Sequence, residues 1–300
     1  MSMRQSVIDL FKNIVVFNYL LPHGSVEKSI YTTIENDFCY YSKNDTKLAE
    51  VIYNTLIDYA FNDSEIVGDL NELQTEAIVT RMRIEEEDAD ATQQKYGFFG
   101  EVLLNLVLRI CFKTTPIIAK GYFYDILKPE EPKGYDSYHL VKTENGYSLW
   151  FGEVKFHQTY SSALKSIFDN IEKALSNDYL KDNLLAILPK KNNLNIIEDT
   201  TINEIIQDLR RHPKTSIVSL VSKYNLKLIY PVFIICNSGK DYDNTISSII
   251  EEIKSKYSGK SLNIDIDYDL FFILMPIADV KQVKKQVLQW IKLTQPLTLL

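Results

Sequence analysis

Residues 149–157 read LWFGEVKFH. The run is apolar enough for a buried strand, yet it carries a glutamate and a lysine two apart. Burying a charge is costly unless it is paired or bound to metal. Side chains alternate along a strand, so residues two apart share a face. Leu149, Phe151, Glu153 and Lys155 share one face; Trp150, Gly152, Val154 and Phe156 share the other. The second face is apolar apart from its glycine and reads as core. The first begins apolar and ends in Glu153 and Lys155, which describes a strand running from the interior out to a cleft. Two readings follow: a half-exposed strand with an ordinary ion pair, or a strand that delivers its charges to a site.

Upstream, ENG at 144–146 is a hairpin signal, and the alternating YDSYHLVKT (135–143) reads as the partner strand. Pairing through that turn joins residues whose numbers sum to about 290. Asp136 then falls opposite Val154 and, with one residue of slip, beside Glu153. KPEEPKG (128–134) reads as a turn, and TPIIAKGYFYDIL (115–127) holds a strand. YGFFGEVLLNLVLRICF (96–112) is apolar nearly all round, a helix buried on most sides with Glu101 as its one acid.

Downstream, TYSSALKSIFDNIEKALSN (159–177) is an amphipathic helix with Ser or Thr available to cap it. LIYPVFIICN (228–237) and YDLFFILMPI (268–277) are buried strands, followed by helices near 243–257 and at 279–293. Helices alternating with strands predict an α/β (α+β) architecture, a mixed sheet flanked by helices on both faces.

Residues 1–92 form a mixed α/β region. VIDLFKNIVVFNYLL (7–21) is apolar with weak periodicity, compatible with strands, and KLAEVIYNTLIDYAF (47–61) has helical spacing. The acidic block IEEEDAD (84–90) marks a loop or boundary, which divides the chain into 1–92 and 93–300. The N-terminal part is expected to pack on the rest and to help dock a partner.

The chain is 45% hydrophobic and 24% charged, which places it among globular proteins. Its longest apolar runs are too short to span a membrane, and Arg4, Asp9 and Lys12 interrupt the N-terminus where a signal peptide would be apolar. Cys39, Cys111 and Cys236 are far apart, which predicts buried free thiols in a reducing, cytoplasmic setting. A net charge of −7 argues against a generic nucleic-acid coat. It leaves room for a nucleic-acid enzyme with segregated charge, since basic residues cluster at 181–191, 208–214 and 281–285.

Two adjacent carboxylates repel, and one is protonated near neutrality unless a cation lies between them. A divalent ion with oxygen ligands resolves this for Asp136 and Glu153. Such an ion polarises a phosphate oxygen and acidifies a bound water. Lys155 would steady the water or the charge building on phosphorus, and Glu101 would supply an outer ligand or a base.

Glu101 in FFGEVLL, Asp136 in KGYDSYHL, and Glu153 with Lys155 in FGEVKF together resemble the PD-(D/E)xK nuclease superfamily. More narrowly, the GE helix, the G-x-D-x-x-H strand and the GE-x-K-F strand resemble HamA, the nuclease subunit family of Hachiman anti-phage defence. Tyr135 stands where the superfamily name has proline, and a Gln-x-x-x-Tyr motif is missing, since Gln158 and Tyr160 are two apart. The resemblance covers about residues 95–180 and implies a restriction-endonuclease-like fold and a metal-dependent DNA nuclease. Its magnesium, replaceable by manganese, would be held by Asp136, Glu153 and the backbone carbonyl of Val154. The resemblance also implies a partner helicase, HamB-like, that restrains the nuclease and releases it on DNA. His139, His157, Gln158 and Lys165 are candidate substrate contacts. The competing readings are an inactive nuclease-fold adaptor or DNA-binding module, and a stand-alone restriction or repair nuclease.

Overall fold

The computed structural model describes all residues except 1–2, 30, 83, 85–89, 125–133, 145, 195–199, 213, 240, 258–261, 263, 294–296 and 298–300. In chain order, the first elements are α1 (Gln5–Ile14), β1 (Val15–Leu21), β2 (Asp37–Ser42), α2 (Asp45–Asn54), α3 (Leu56–Ala60), α4 (Leu70–Glu76) and α5 (Asp90–Gln93). Next come α6 (Phe98–Ile110), β3 (Thr115–Pro116), β4 (His139–Lys142), β5 (Tyr147–Trp150), β6 (Glu153–Phe156), α7 (Tyr160–Phe168) and α8 (Ile171–Ala174). The last are α9 (Asn177–Ile187), α10 (Thr200–Arg211), α11 (Ile217–Tyr224), β7 (Leu226–Asn237), α12 (Tyr242–Tyr257), β8 (Tyr268–Ile277) and α13 (Val280–Lys292).

The strands form one mixed sheet in the order β1-β2-β8-β7-β5-β4-β3, with β6 also pairing β7. β2, β8, β7, β5 and β6 pair in parallel; β1 with β2, and β3 with β4 with β5, pair antiparallel. β7 and β8 are apolar and buried from Leu228 to Cys236 and from Leu270 to Ile277, because the sheet is covered on both faces. One face packs on α1, α2, α3, α6 and α13 through Val154, Phe156, Phe233 and Phe271. The other packs on α7, α8, α9, α11 and α12 through Leu149, Phe151, Val232 and Phe272. The sheet and the first core run across residue 92. β2 pairs with β8, and α2 packs along α13 with the Tyr53 and Trp290 rings 5.8 Å apart.

Several boundaries differ from the expected ones. Residues 5–14 are helical before β1 begins, because Val7, Phe11 and Ile14 form one buried stripe at helical spacing. The strand expected within 115–127 is Thr115–Pro116, and residues 125–127 lie outside the described residues. The chain then enters a 3-10 turn at Lys120–Phe123 that carries Lys120 inward. β4 starts at His139, so Asp136 lies in the bend before it. The helix expected over 159–177 breaks after Phe168 and resumes at Ile171; Thr159 caps it, accepting from the Ser162 N–H. α9, α10 and α11 were not anticipated. Cys39 and Cys236 are buried thiols, whereas Cys111 at the end of α6 is exposed. The turn 128–134 and the acidic block 84–90 lie largely outside the described residues. No helix among the described residues is long and apolar enough to cross a membrane.

The strand expected over 147–157 divides at Phe151–Gly152, with β5 and β6 in one register against β7: Trp150 pairs with Ile229 and Glu153 with Val232. Between them Gly152 faces Pro231, which has no N–H to offer. A Cβ on Gly152 would lie 2.9 Å from Pro231 Cγ and 3.1 Å from Ser137 Oγ, so only glycine fits this crossing.

Candidate active site

The division of the strand creates the site. β4 pairs with β5 as far as Trp150 and no further. Past it, the bend before β4 takes the vacated edge. The Asp136 N–H donates to Gly152 O at 3.0 Å, and the Gly152 N–H donates to Ser137 Oγ at 2.8 Å. The Val154 N–H donates to Asp136 Oδ2 at 2.8 Å. A strand residue sends its N–H and C=O to the same side, so the Val154 carbonyl also points off the edge where Asp136 sits.

Glu153 and Lys155 stand on the face of Leu149 and Phe151, half-buried, with Lys155 Nζ 2.5 Å from Glu153 Oε1. The Glu153 carboxyl is pushed up to about 7, first by burial and next by the charge of Asp136; Lys155 opposes the shift and Glu101 adds to it. Lys155 is raised as well: burial works against its charge, but Glu153, then Asp136, outweigh it. The ammonium therefore stays protonated at neutral pH.

Glu101 approaches from α6. Its neighbour Gly100 lets the helix pack closely on β6, since a Cβ there would be 3.0 Å from Val154 Cγ2. Glu101 is buried, and its Oε2 accepts from Tyr59 OH at 2.6 Å and pairs with Lys120 Nζ at 3.2 Å. Three carboxylates and two lysines thus share one partly dry edge.

The expected residues Glu101, Asp136, Glu153, Val154 and Lys155 come together here. His139 does not join them. It is 3% exposed, bonded through Nδ1 to Thr114 Oγ1 at 2.7 Å, and lowered to about 3 by burial and by Arg109. It is a packed neutral imidazole. Lys165 is exposed on α7. His157 and Gln158 lie past the end of β6 in a groove of about 350 Å³, with Lys95, Lys281 and Lys284 as its other polar walls along with Gln94. Among the described residues, none lining that groove is acidic. Burial, then Lys284 and Lys155, lower the His157 imidazole, which favours its neutral form. Tyr59, Lys120 and Ser137 were not anticipated. The one available signal was Lys120, the single charge in IIAKGYF.

Among the described residues, no group of three or more His, Cys, Asp or Glu side chains is placed to hold a metal ion. With Glu101 held by Tyr59 and Lys120, the candidate oxygen donors at the edge are the carboxylates of Asp136 and Glu153 and the Val154 carbonyl. That set suits magnesium, which takes one or two carboxylates and completes its shell with water and substrate phosphate.

A family model, HamA, matches residues 9–291. No curated protein and no solved structure matches the chain at a significant level.

Proposed function

We propose that this chain, which belongs to the HamA family of Hachiman anti-phage defence, is a metal-dependent DNA nuclease held in check by a partner helicase and released by it on DNA. One observation carries the chemistry: on the open edge of β6, Asp136 is held by the Val154 N–H while Glu153 is pushed up to about 7 by burial and by Asp136. That edge concentrates negative charge which a divalent cation would relieve.

Asp136, Glu153 and the Val154 carbonyl would hold magnesium, with manganese able to replace it. Bound there, the ion supplies Lewis-acid polarisation of a phosphate oxygen and a more acidic water. Asp136 keeps one orientation because a backbone N–H fixes Oδ2. Lys155 is protonated, so it serves as a charge donor, not a base. It steadies the oxygens of phosphorus as negative charge builds on them. A chain with 40 acidic and 33 basic side chains is poorly suited to hold DNA by itself, which favours delivery by a partner.

Plasmid cleavage in magnesium tests this, with the chain alone and with its helicase partner plus ATP, beside Glu153→Ala. Cleavage lost in the variant supports the nuclease. Cleavage that needs the helicase supports a gated effector, and cleavage by the chain alone favours a stand-alone enzyme. A second reading, a non-catalytic adaptor, is favoured by one observation: Lys155 already pairs with Glu153 at 2.5 Å. It leads if no combination of metal, nucleotide and DNA end gives cleavage.

A further inference from the structure

Lys120 is 6% exposed, at the start of the 3-10 turn after β3. A buried ammonium needs a counter-charge and acceptors for its three hydrogens. Glu101 Oε2 supplies the charge at 3.2 Å, and the Tyr135 carbonyl accepts at 2.6 Å. The Tyr138 ring lies 5.6 Å from the ammonium.

The Tyr135 carbonyl and the Asp136 N–H are the two ends of one peptide group. Lys120 holds its oxygen, and Gly152 O holds its N–H at 3.0 Å. A planar peptide gripped at both ends has one orientation, and that orientation sets the direction in which the Asp136 side chain leaves the backbone. The Tyr135 side chain adds a third anchor: it is fully buried, and its hydroxyl donates to Ala174 O at 2.7 Å.

We propose that Lys120 is a positioning residue: through the Tyr135–Asp136 peptide it fixes the Asp136 carboxylate on the Val154 N–H, with Glu101 as its buried counter-ion. Glu101 then acts on the site through Lys120, not as a ligand of the ion. The kinetic part of this inference rests on the nuclease reading; the structural part does not.

The test uses Lys120→Met, Lys120→Arg and the double variant Glu101→Gln/Lys120→Met, all in the full chain. Removing one partner of a buried pair can unfold a protein, whereas removing both charges is better tolerated, so the double variant keeps the test open. In metal-free protein, amide exchange at Asp136 and Val154 should speed up by about tenfold in Lys120→Met and in the double variant, with β8 unchanged. Cleavage should fall by about 100-fold in kcat, the scale of a small misplacement, with KM for DNA unchanged. Lys120→Arg, which keeps the charge, should recover part of both losses. Unchanged exchange at Asp136 and Val154 in a folded Lys120→Met or double variant overturns the proposal, as does a double variant with wild-type kcat. If the wild type itself never cleaves DNA, the nuclease reading fails, and the exchange result still decides the role of Lys120.

Discussion

Replacing Glu153 by glutamine should make the metal-free protein more stable, and increasingly so as pH rises. The Glu153 carboxyl moves from 4.5 to about 7 in the fold. Each tenfold in acidity is worth ~1.4 kcal/mol, so ionising this group inside the fold costs about 3 kcal/mol. The sign follows from the raised value. The folded state holds the proton more tightly than the unfolded chain. Stability is therefore fully present below 4.5 and drains away as pH climbs to about 7. Glutamine keeps the shape, drops the charge and escapes the loss. Urea unfolding with a chelator should give a gap between variant and wild type of about 1 kcal/mol at pH ~5, growing to about 3 kcal/mol at pH ~7 and above. Adding manganese should close the gap by stabilising the wild type alone, by about 2.7 kcal/mol at a hundred times its dissociation constant. A gap independent of pH, or a glutamine variant less stable at pH ~8, would show that Lys155 fully satisfies Glu153. The pair would then be an ordinary salt bridge.

Gly152→Ala would press a Cβ to 2.9 Å from Pro231. It should cost about 1–3 kcal/mol in thermal or urea unfolding and also lower cleavage, because Ser137 and Asp136 sit on the same crossing. Tyr59→Phe removes a donor from the buried Glu101 carboxylate. A loss of about 1–3 kcal/mol in urea unfolding is expected; no loss would mean that the carboxylate is satisfied without Tyr59. Lys95→Ala with Lys281→Ala should weaken binding of a Glu153→Gln protein to a labelled DNA duplex. The slope of affinity against salt should flatten by about one for each phosphate that a removed lysine had neutralised.

The strand 147–157 and its partner were legible because period-two alternation and hairpin arithmetic are local rules. The expected sum of about 290 compares with the observed pairings His139 to Trp150 and Lys142 to Tyr147. The observed pairings sum to one less and end at Trp150, so Asp136 reaches the Val154 N–H with its side chain and not by strand pairing. The buried helix with Glu101, and β7, β8, α12 and α13, were equally plain from their apolar periods. What escaped depends on packing between distant segments. In 7–21 the helical spacing of Val7, Phe11 and Ile14 is masked by the apolar run that follows, and nothing local says that β2 will join β8. Nothing in the apolar run around Lys120 says that its ammonium will meet a carboxylate on α6. His139 is a candidate only through the resemblance. Its offset of three from Asp136 already puts it on the opposite face of an alternating strand, and there burial, with Arg109 nearby, keeps it neutral and bonded to Thr114.

Tyr59, Glu101 and Lys120 come from three separate segments and meet around a single carboxylate. That meeting constrains how the gene can change. A substitution that removes the charge or the donor at any one of the three leaves a buried group short of a partner, and its effect will not add simply to that of a change at the other two. Descendants should therefore alter these codons jointly or leave them alone. One of the three, Tyr59, lies in the first ninety-odd residues, so that part of the chain completes a buried polar cluster of the rest.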